Sequence, residues 1–148
     1  MRARARLILL ACLLAPGFAG AQLSDFRSTN DVAVMYDTPS PKAKKIYVVS
    51  RHYPVEVLVT LDHWVRVRDM NGELAWMEAS ALGDKRYVVA TGTGADVRAQ
   101  PDEQAPILFR AQTGVILELI ESATPGWLRV RHRDGQSGYV RINQVWGG

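Results

Sequence analysis

The sequence contains a single cysteine, Cys12, among its 148 residues. One cysteine excludes an internal disulfide, and it excludes a zinc site built from several thiolates. An excess of one charge is also nearly absent, because 18 Lys and Arg stand against 15 Asp and Glu. Arg2, Arg4 and Arg6 account for the difference, so the rest of the chain carries no net charge. A neutral chain does not attract nucleic-acid phosphates at long range, and we expect no nucleic-acid partner.

Long apolar runs are scarce as well. The run at residues 7–15 is much shorter than the ~20 residues needed to cross a bilayer. The basic start, this run and Ala19-Gly20-Ala21 are the three parts of a secretory signal peptide. We predict a signal peptide at residues 1–21, a periplasmic or otherwise exported protein, and no stable membrane insertion after cleavage. A buried N-terminal helix is the alternative.

The remaining sequence repeats itself. Residues 64–77 and 127–140 match at an offset of 63 and share Trp, Arg, Val, Arg and Gly at corresponding places. Two earlier pairs of segments extend the match: 34–38 with 97–101, and 54–59 with 114–119. Such repetition predicts two domains of about 60 residues each, at 22–86 and 87–148. Domains of that size are marginally stable alone, so we expect one to pack on the other.

The sequence of each copy predicts short β-strands. Val55, Val57 and Val59 alternate with other residues, as a half-buried strand requires. Asn71-Gly72 and Asp134-Gly135 are strong hairpin signals, and a short 3₁₀ stretch is expected after each hairpin. The pattern predicts an all-β protein made of two tandem, small, partly open barrels.

The hairpin register decides which side chains face outward. A two-residue loop would pair Val67 with Trp76, whereas a three-residue loop pairs Val67 with Ala75. We favour the three-residue loop, because the other register pairs Leu128 with the charged Arg141 on the core side. The favoured register turns two sets of side chains outward: Trp64, Arg66 and Trp76, and Trp127, Arg129 and Tyr139.

These motifs resemble the bacterial SH3-like (SH3b) domain. The resemblance rests on a Pro-Val-Glu-Val strand, a W-x-R-V-R strand, the Asn-Gly or Asp-Gly turn, and a following Ala-Trp-Met or Gly-Tyr-Val. The closing Val145-Trp146-Gly147 is similar to the end of exported proteobacterial proteins with two such domains. The resemblance covers residues 30–147, and it implies five-stranded SH3-like barrels that serve as a non-catalytic binding module for cell-wall peptides or glycan.

The outward aromatic and arginine side chains are the candidate ligand-binding residues. Two aromatic rings beside a guanidinium can stack on a sugar ring or a peptide plane while the arginine pairs with a carboxylate. The predicted partner is peptidoglycan or its stem peptides, and the alternative is another envelope protein. In a second interpretation the tryptophans only close the edge of the barrel and the arginine covers them.

Catalytic, metal-binding and cofactor-binding residues are not predicted. His52, His63 and His132 lack the spacing of metal ligands, and no G-x-S-x-G or comparable motif marks an activated nucleophile. A wall-active enzyme is therefore the least favoured of the three functions. A lysine-rich loop at residues 37–45 could contact anionic wall polymer or be an ordinary solvated surface.

Overall fold

The computed structural model describes residues 23–148, where the regular structure consists of β-strands and two 3₁₀ turns. Within these residues the strands form two seven-stranded sheets, one from each copy of the repeat. The all-β class and the two tandem units are thereby confirmed, but each sheet has seven strands and not the five that the resemblance implied. The predicted signal peptide, residues 1–21, lies outside the described residues.

The first unit contains seven strands and a 3₁₀ turn at Ala79–Ala81. The strands are β1 (Asp25–Thr29), β2 (Ala33–Tyr36), β3 (Lys45–Val49), β4 (Pro54–Leu61), β5 (Trp64–Arg68), β6 (Leu74–Glu78) and β7 (Leu82–Gly83). Antiparallel pairing places them in the order β3-β2-β6-β5-β4-β1-β7.

The second unit repeats this arrangement, with a 3₁₀ turn at Ile142–Gln144. Its strands are β8 (Tyr87–Ala90), β9 (Ala95–Arg98), β10 (Ile107–Ala111), β11 (Ile116–Thr124), β12 (Trp127–Arg131), β13 (Ser137–Arg141) and β14 (Val145–Trp146). Their order is β10-β9-β13-β12-β11-β8-β14, which is the order of the first unit. Both 3₁₀ turns lie after the hairpins, where the sequence predicts them.

The two central hairpins have the predicted register. Val67 lies opposite Ala75, and Leu128 lies opposite Val140. Gly72 has a φ of 85°, and the glycine at the same place in the second hairpin has a φ of 94°. Glycine adopts this left-handed conformation without steric cost, which allows the three-residue loop. Because side chains alternate across a strand, this register directs the small and apolar residues into each core.

A bulge in β4 changes which face its residues present. Val57 lies opposite Val67, whereas Val59 lies opposite Arg66, so one extra residue intervenes on β4. An extra residue moves the following side chains to the other face of the sheet. Val59 is consequently 49% exposed. The expectation that Val59 alternates inward with Val57 is wrong.

The structural match between the units differs from the sequence match in β2. Tyr36 pairs with Trp76, and Arg98 pairs with Tyr139, the residue that corresponds to Trp76. The residues before them, Met35 and Val97, therefore occupy the same position, and they are 1% and 0% exposed. The offset there is 62. The predicted match of 34–38 with 97–101 is therefore wrong by one residue.

The match in β4 and β11 is also shifted. Glu56 and Glu118 correspond, since each lies opposite the last arginine of the neighbouring strand. The predicted match of 54–59 with 114–119 is wrong by two residues. The offset grows to 63 after these strands, because β11 has two register shifts and β4 has one.

Each unit has its own hydrophobic core. The first core contains Ala33, Met35, Val55, Val65, Val67, Ala75 and Met77. The second core contains Val88, Ala90, Ala95, Val97, Ala111, Leu117, Leu128, Val130, Val140 and Val145. Both cores consist of the inward residues of the strands, so each unit buries its own apolar face.

Strand β1 of the first unit contacts β8 and β14 of the second unit. Phe26 of β1 meets Trp146 of β14 edge-on, with ring centroids 5.0 Å apart. The Ser28 hydroxyl accepts a 3.0 Å hydrogen bond from the backbone N–H of Tyr87. The expected packing of one copy on the other is therefore present.

Arg86 and Gly147 lie at this junction, where the Arg86 guanidinium carbon is 5.9 Å from the centroid of the Phe26 ring. The Arg86 Nη2 donates a 2.8 Å hydrogen bond to the Gly147 carbonyl oxygen, and burial lowers the pKa of Arg86. Gly147 has a φ of 108°, and a Cβ there would lie 2.7 Å from the Cβ of Pro54. That distance is too short for two carbon atoms, so glycine is needed where the end of the second unit lies against the first.

Candidate functional site

Trp64, Arg66 and Trp76 lie on the outer face of the first sheet. Trp64 and Arg66 are two residues apart on β5 and share one side of the strand, while Trp76 on β6 lies directly opposite Arg66. Arg66 is exposed, and both indole-bearing residues are partly exposed. The structure thus brings the three predicted residues onto one surface, on which both tryptophans are half-buried.

Tyr36 adds a third aromatic ring to this surface. It lies opposite Trp76 in the pairing of β2 with β6, and its ring meets that of Trp64 edge-on with centroids 5.3 Å apart. Sequence reasoning missed it, because the shifted match equated Tyr36 with Ala99. The strand alternation after the buried Met35 is the signal that could have found it.

A groove of about 400 Å³ opens beside Trp64. It is lined by Pro41, Asp62, His63, Trp64, Glu78, Ala79 and Ser80. Pro41 belongs to the loop at 37–45, so this loop borders the groove. In the described part of the chain, the lysines of the loop are exposed and do not line the groove.

The groove is acidic beside its indole. Glu78 on β6 lies opposite Trp64, and Asp62 lies in the tight turn between β4 and β5 with a φ of 51°. A carboxylate accepts charge-assisted hydrogen bonds, and an indole face attracts a cation. The groove can therefore take an amino group together with the aliphatic chain that bears it.

The corresponding face of the second unit is closed. Trp127 is only 5% exposed, and the guanidinium carbon of Arg141 lies 4.4 Å from the centroid of its ring. Arg141 stands opposite Trp127 just as Glu78 stands opposite Trp64. The expectation that Trp127 is an exposed aromatic is wrong, because this cation–π contact covers it.

Arg129 and Tyr139 remain partly exposed on that face. The Arg129 Nη1 lies 3.4 Å from a carboxylate oxygen of Glu121. Tyr139 lies opposite Arg98, which stands where Tyr36 stands in the first unit. The second unit therefore brings its predicted residues to one face but fills the surroundings with paired charges.

Glu103 ties the long loop of the second unit to the sheet. It pairs with Arg141, and its other carboxylate oxygen lies 3.9 Å from the Arg98 Nη2. Arg98 also donates a 2.8 Å hydrogen bond to the Ala105 carbonyl oxygen. In the first unit the equivalent loop leaves an open groove at Pro41. The two faces differ in the charged residues that surround them.

Residues 23–148 contain neither a metal-binding cluster nor a membrane-spanning helix. No group of three or more His, Cys, Asp or Glu there is placed to hold a metal ion. No helix in this part of the chain has the length and apolarity to cross a membrane. The predicted absence of catalytic residues and of a cofactor stays a prediction.

The fold defines a class of protein: two small SH3-like β-units joined in tandem. The bacterial SH3 domain matches the chain twice, over residues 29–84 and 91–147. The chain belongs to the bacterial SH3 domain family, whose domains are typically binding modules.

Solved structures similar to the chain include two from Trichomonas vaginalis, NlpC1 and NlpC2, both 18% identical with a TM-score of 0.38. An NlpC/P60 family protein from Bacillus cereus is 16% identical with a TM-score of 0.39. The matches cover 93%, 81% and 82% of this chain but 50%, 46% and 55% of those structures, so the chain spans about half their length. No curated protein matches the sequence.

Proposed function

We propose that this protein is an exported binding protein that recognises peptidoglycan through the stem peptides of the wall. The observation that carries the proposal is the open groove at Trp64, with Asp62 and Glu78 at its border. Its membership of a family of binding modules supports the same conclusion.

The chemistry of the groove fits a short peptide with charges of both signs. Stem peptides carry free amino groups and carboxylates. The amino group would lie beside Asp62 and Glu78 while its aliphatic chain contacts the Trp64 ring. Arg66, exposed on the same face, would pair with a carboxylate through its planar guanidinium. The proposed binding site therefore belongs to the first unit.

Export is the second part of the proposal, and it rests on the sequence of residues 1–21. A peptidoglycan ligand lies outside the cytoplasmic membrane, so the protein must reach that compartment. Mass spectrometry of the protein isolated from the producing cell is expected to place the N-terminus at Gln22 or within a residue or two. Retention of Arg2, Arg4 and Arg6 would contradict export by this route.

Co-sedimentation with purified peptidoglycan sacculi tests the binding. The wild-type protein is expected to pellet with sacculi, and the variant Trp64→Ala with Trp76→Ala is expected to stay in solution. Tyr139→Ala is the matched control, because Tyr139 is the counterpart of Trp76 on the closed face. It is expected to pellet like the wild type.

A second variant separates loss of binding from loss of folding. Asp62→Asn with Glu78→Gln keeps the aromatic packing and removes the acidic border, so it is expected to fold normally and to bind at least about tenfold more weakly. A wild-type protein that does not pellet, or a charge variant that binds as well as the wild type, would contradict the proposed function.

Binding to another envelope protein is the second candidate, and the edge of the first sheet favours it. Strand β3 forms that edge, and its Val48 is 68% exposed beside the exposed Tyr47. An edge strand can pair with an extended segment of a partner. Loss of a captured envelope protein in Val48→Lys, with sacculus binding absent in the wild type, would favour this function.

A further inference from the structure

A second and larger cleft lies between the two units. Its volume is about 540 Å³. The first unit contributes Arg51 and His52, from the turn that joins β3 to β4. The second unit contributes Tyr87 together with residues of β11, of β12 and of the loops next to them. The cleft exists only because the units are packed together, so neither unit could form it alone.

Positive charge is in excess in its lining, which contains three arginines and one carboxylate. Arg131 is held by Glu118, whose Oε2 accepts hydrogen bonds of 3.2 Å from Nε and 3.0 Å from Nη2. The Arg51 Nε donates a 3.1 Å hydrogen bond to the Asn30 carbonyl oxygen. Arg133 forms no ion pair with another described residue. Arg51 and Arg131 are thus held by hydrogen bonds, and each guanidinium has further N–H donors besides those already used.

The other nearby carboxylates do not line the cleft. Asp31 lies 3.8 Å from Arg51 with most of its side chain in solvent. Asp134 lies 3.1 Å from the Nδ1 of His132, and hydrogen bonds from the Gln136 backbone and from His132 lower the pKa of Asp134. These acids orient basic side chains from outside, so the lining itself remains positive.

His52 gives the cleft a flat aromatic border. Its ring lies parallel to that of Tyr87, with centroids 4.0 Å apart and an angle of 4° between the planes. Its backbone has a φ of 66°, a left-handed conformation that non-glycine residues seldom adopt and that often marks functional sites. Burial lowers the pKa of His52, and the charges of Arg51 and Lys85 lower it further, whereas Glu118 and Asp31 act in the opposite direction.

We propose that this cleft is an oxyanion-binding site, in which Arg51, Arg131 and Arg133 hold a carboxylate or phosphate group. Guanidinium forks match the geometry of both groups. The organic part of the ligand would rest on the exposed edge of the His52 ring. This site is separate from the aromatic groove of the first unit, and it does not depend on peptidoglycan binding there. Because both units contribute arginines, a bound anion would also strengthen their packing.

Nuclear magnetic resonance titration of the whole protein tests the proposal. Inorganic phosphate and acetate are added in separate experiments, with chloride adjusted to hold the ionic strength constant. Saturable shifts of the His52 and His132 imidazole signals are expected with at least one of the two anions. Saturation by phosphate alone indicates a phosphate ligand, and saturation by acetate indicates a carboxylate. Absence of saturation with both would overturn the proposal.

Two variants and one control assign the binding to the arginines. Arg133→Gln breaks no ion pair among the described residues, so it is expected to fold normally and to weaken binding at least about threefold. Arg51→Gln combined with it is expected to weaken binding at least about tenfold. Arg68→Gln is the control, because it breaks the 2.9 Å pair with Glu56 that corresponds to Arg131–Glu118 but does not line the cleft. Equal affinities for all three would overturn the proposal.

Discussion

Replacement of Trp127 by alanine is predicted to destabilise the protein much more than replacement of Trp64. The two residues occupy the same place in the two units. Trp64 begins β5 and lies opposite Glu78, whereas Trp127 begins β12 and lies opposite Arg141. They differ in their surroundings, because the first borders an open groove and the second is covered by a guanidinium. The pair of substitutions therefore compares one chemical change in two environments.

The magnitudes follow from burial. Trp127 is 5% exposed, and removing a buried tryptophan costs about 3–5 kcal/mol. A unit of about 60 residues has a total stability of roughly 3–9 kcal/mol, so Trp127→Ala brings the second unit close to unfolding. Trp64 is partly exposed, and its edge contact with Tyr36 is worth about 0.5–1.5 kcal/mol. We expect Trp64→Ala to cost about 1–2.5 kcal/mol.

Urea unfolding followed by far-ultraviolet circular dichroism measures both free energies of unfolding. Arg141→Ala serves as a control that keeps the Trp127 ring, and we expect it to cost about 0.5–2 kcal/mol through the lost cation–π contact and the lost pair with Glu103. A Trp64→Ala variant as unstable as Trp127→Ala would show that Trp64 is a core residue. The open groove would then be refuted as a binding surface.

Three further predictions concern the junction, the pH dependence and the closed face. Gly147→Ala is expected to loosen the packing of the two units, because a Cβ would meet Pro54, and small-angle scattering would detect the larger radius of gyration. Because the pKa of His52 is lowered in the folded protein, the unfolded chain binds a proton at a higher pH than the folded protein does. The free energy of unfolding is therefore expected to decrease as the pH falls from about 6.5 through the pKa of His52 in the folded protein. Urea midpoints measured against pH are expected to show this decline, and His52→Asn is expected to flatten it. Arg141→Glu copies the first unit and is expected to expose Trp127, which iodide quenching of tryptophan fluorescence would detect.

Much of the fold was predictable from the sequence, because the repeat allowed each copy to check the other. The pairing of Val67 with Ala75 was predictable because the alternative register would place Arg141 opposite Leu128 on the core side of the second unit. The bulge before Val59 was not predictable, since no glycine or local motif marks it. The bulge in β4 and the two register shifts in β11 change the spacing between the copies, so the segments at 54–59 and 114–119 were matched in the wrong register.

The candidate site was predictable only in part. Alternation along β5 and β6 placed Trp64, Arg66 and Trp76 on one face, and the structure agrees. The cover on Trp127 depends on Arg141 across the hairpin and on Glu103 in a distant loop, so strand periodicity did not reveal it. The cleft between the units was beyond sequence reasoning, because it depends on how two folded domains pack.

The most direct test of the account uses the four tryptophans as separate reporters. Each indole N–H gives its own signal in a proton–nitrogen correlation spectrum, and the four can be assigned by single substitution. During titration with soluble stem peptides released from peptidoglycan, we expect saturable shifts of the Trp64 and Trp76 signals and unchanged signals from Trp127 and Trp146. Shifts confined to Trp127 or Trp146, or no shift of any indole signal, would contradict this expectation.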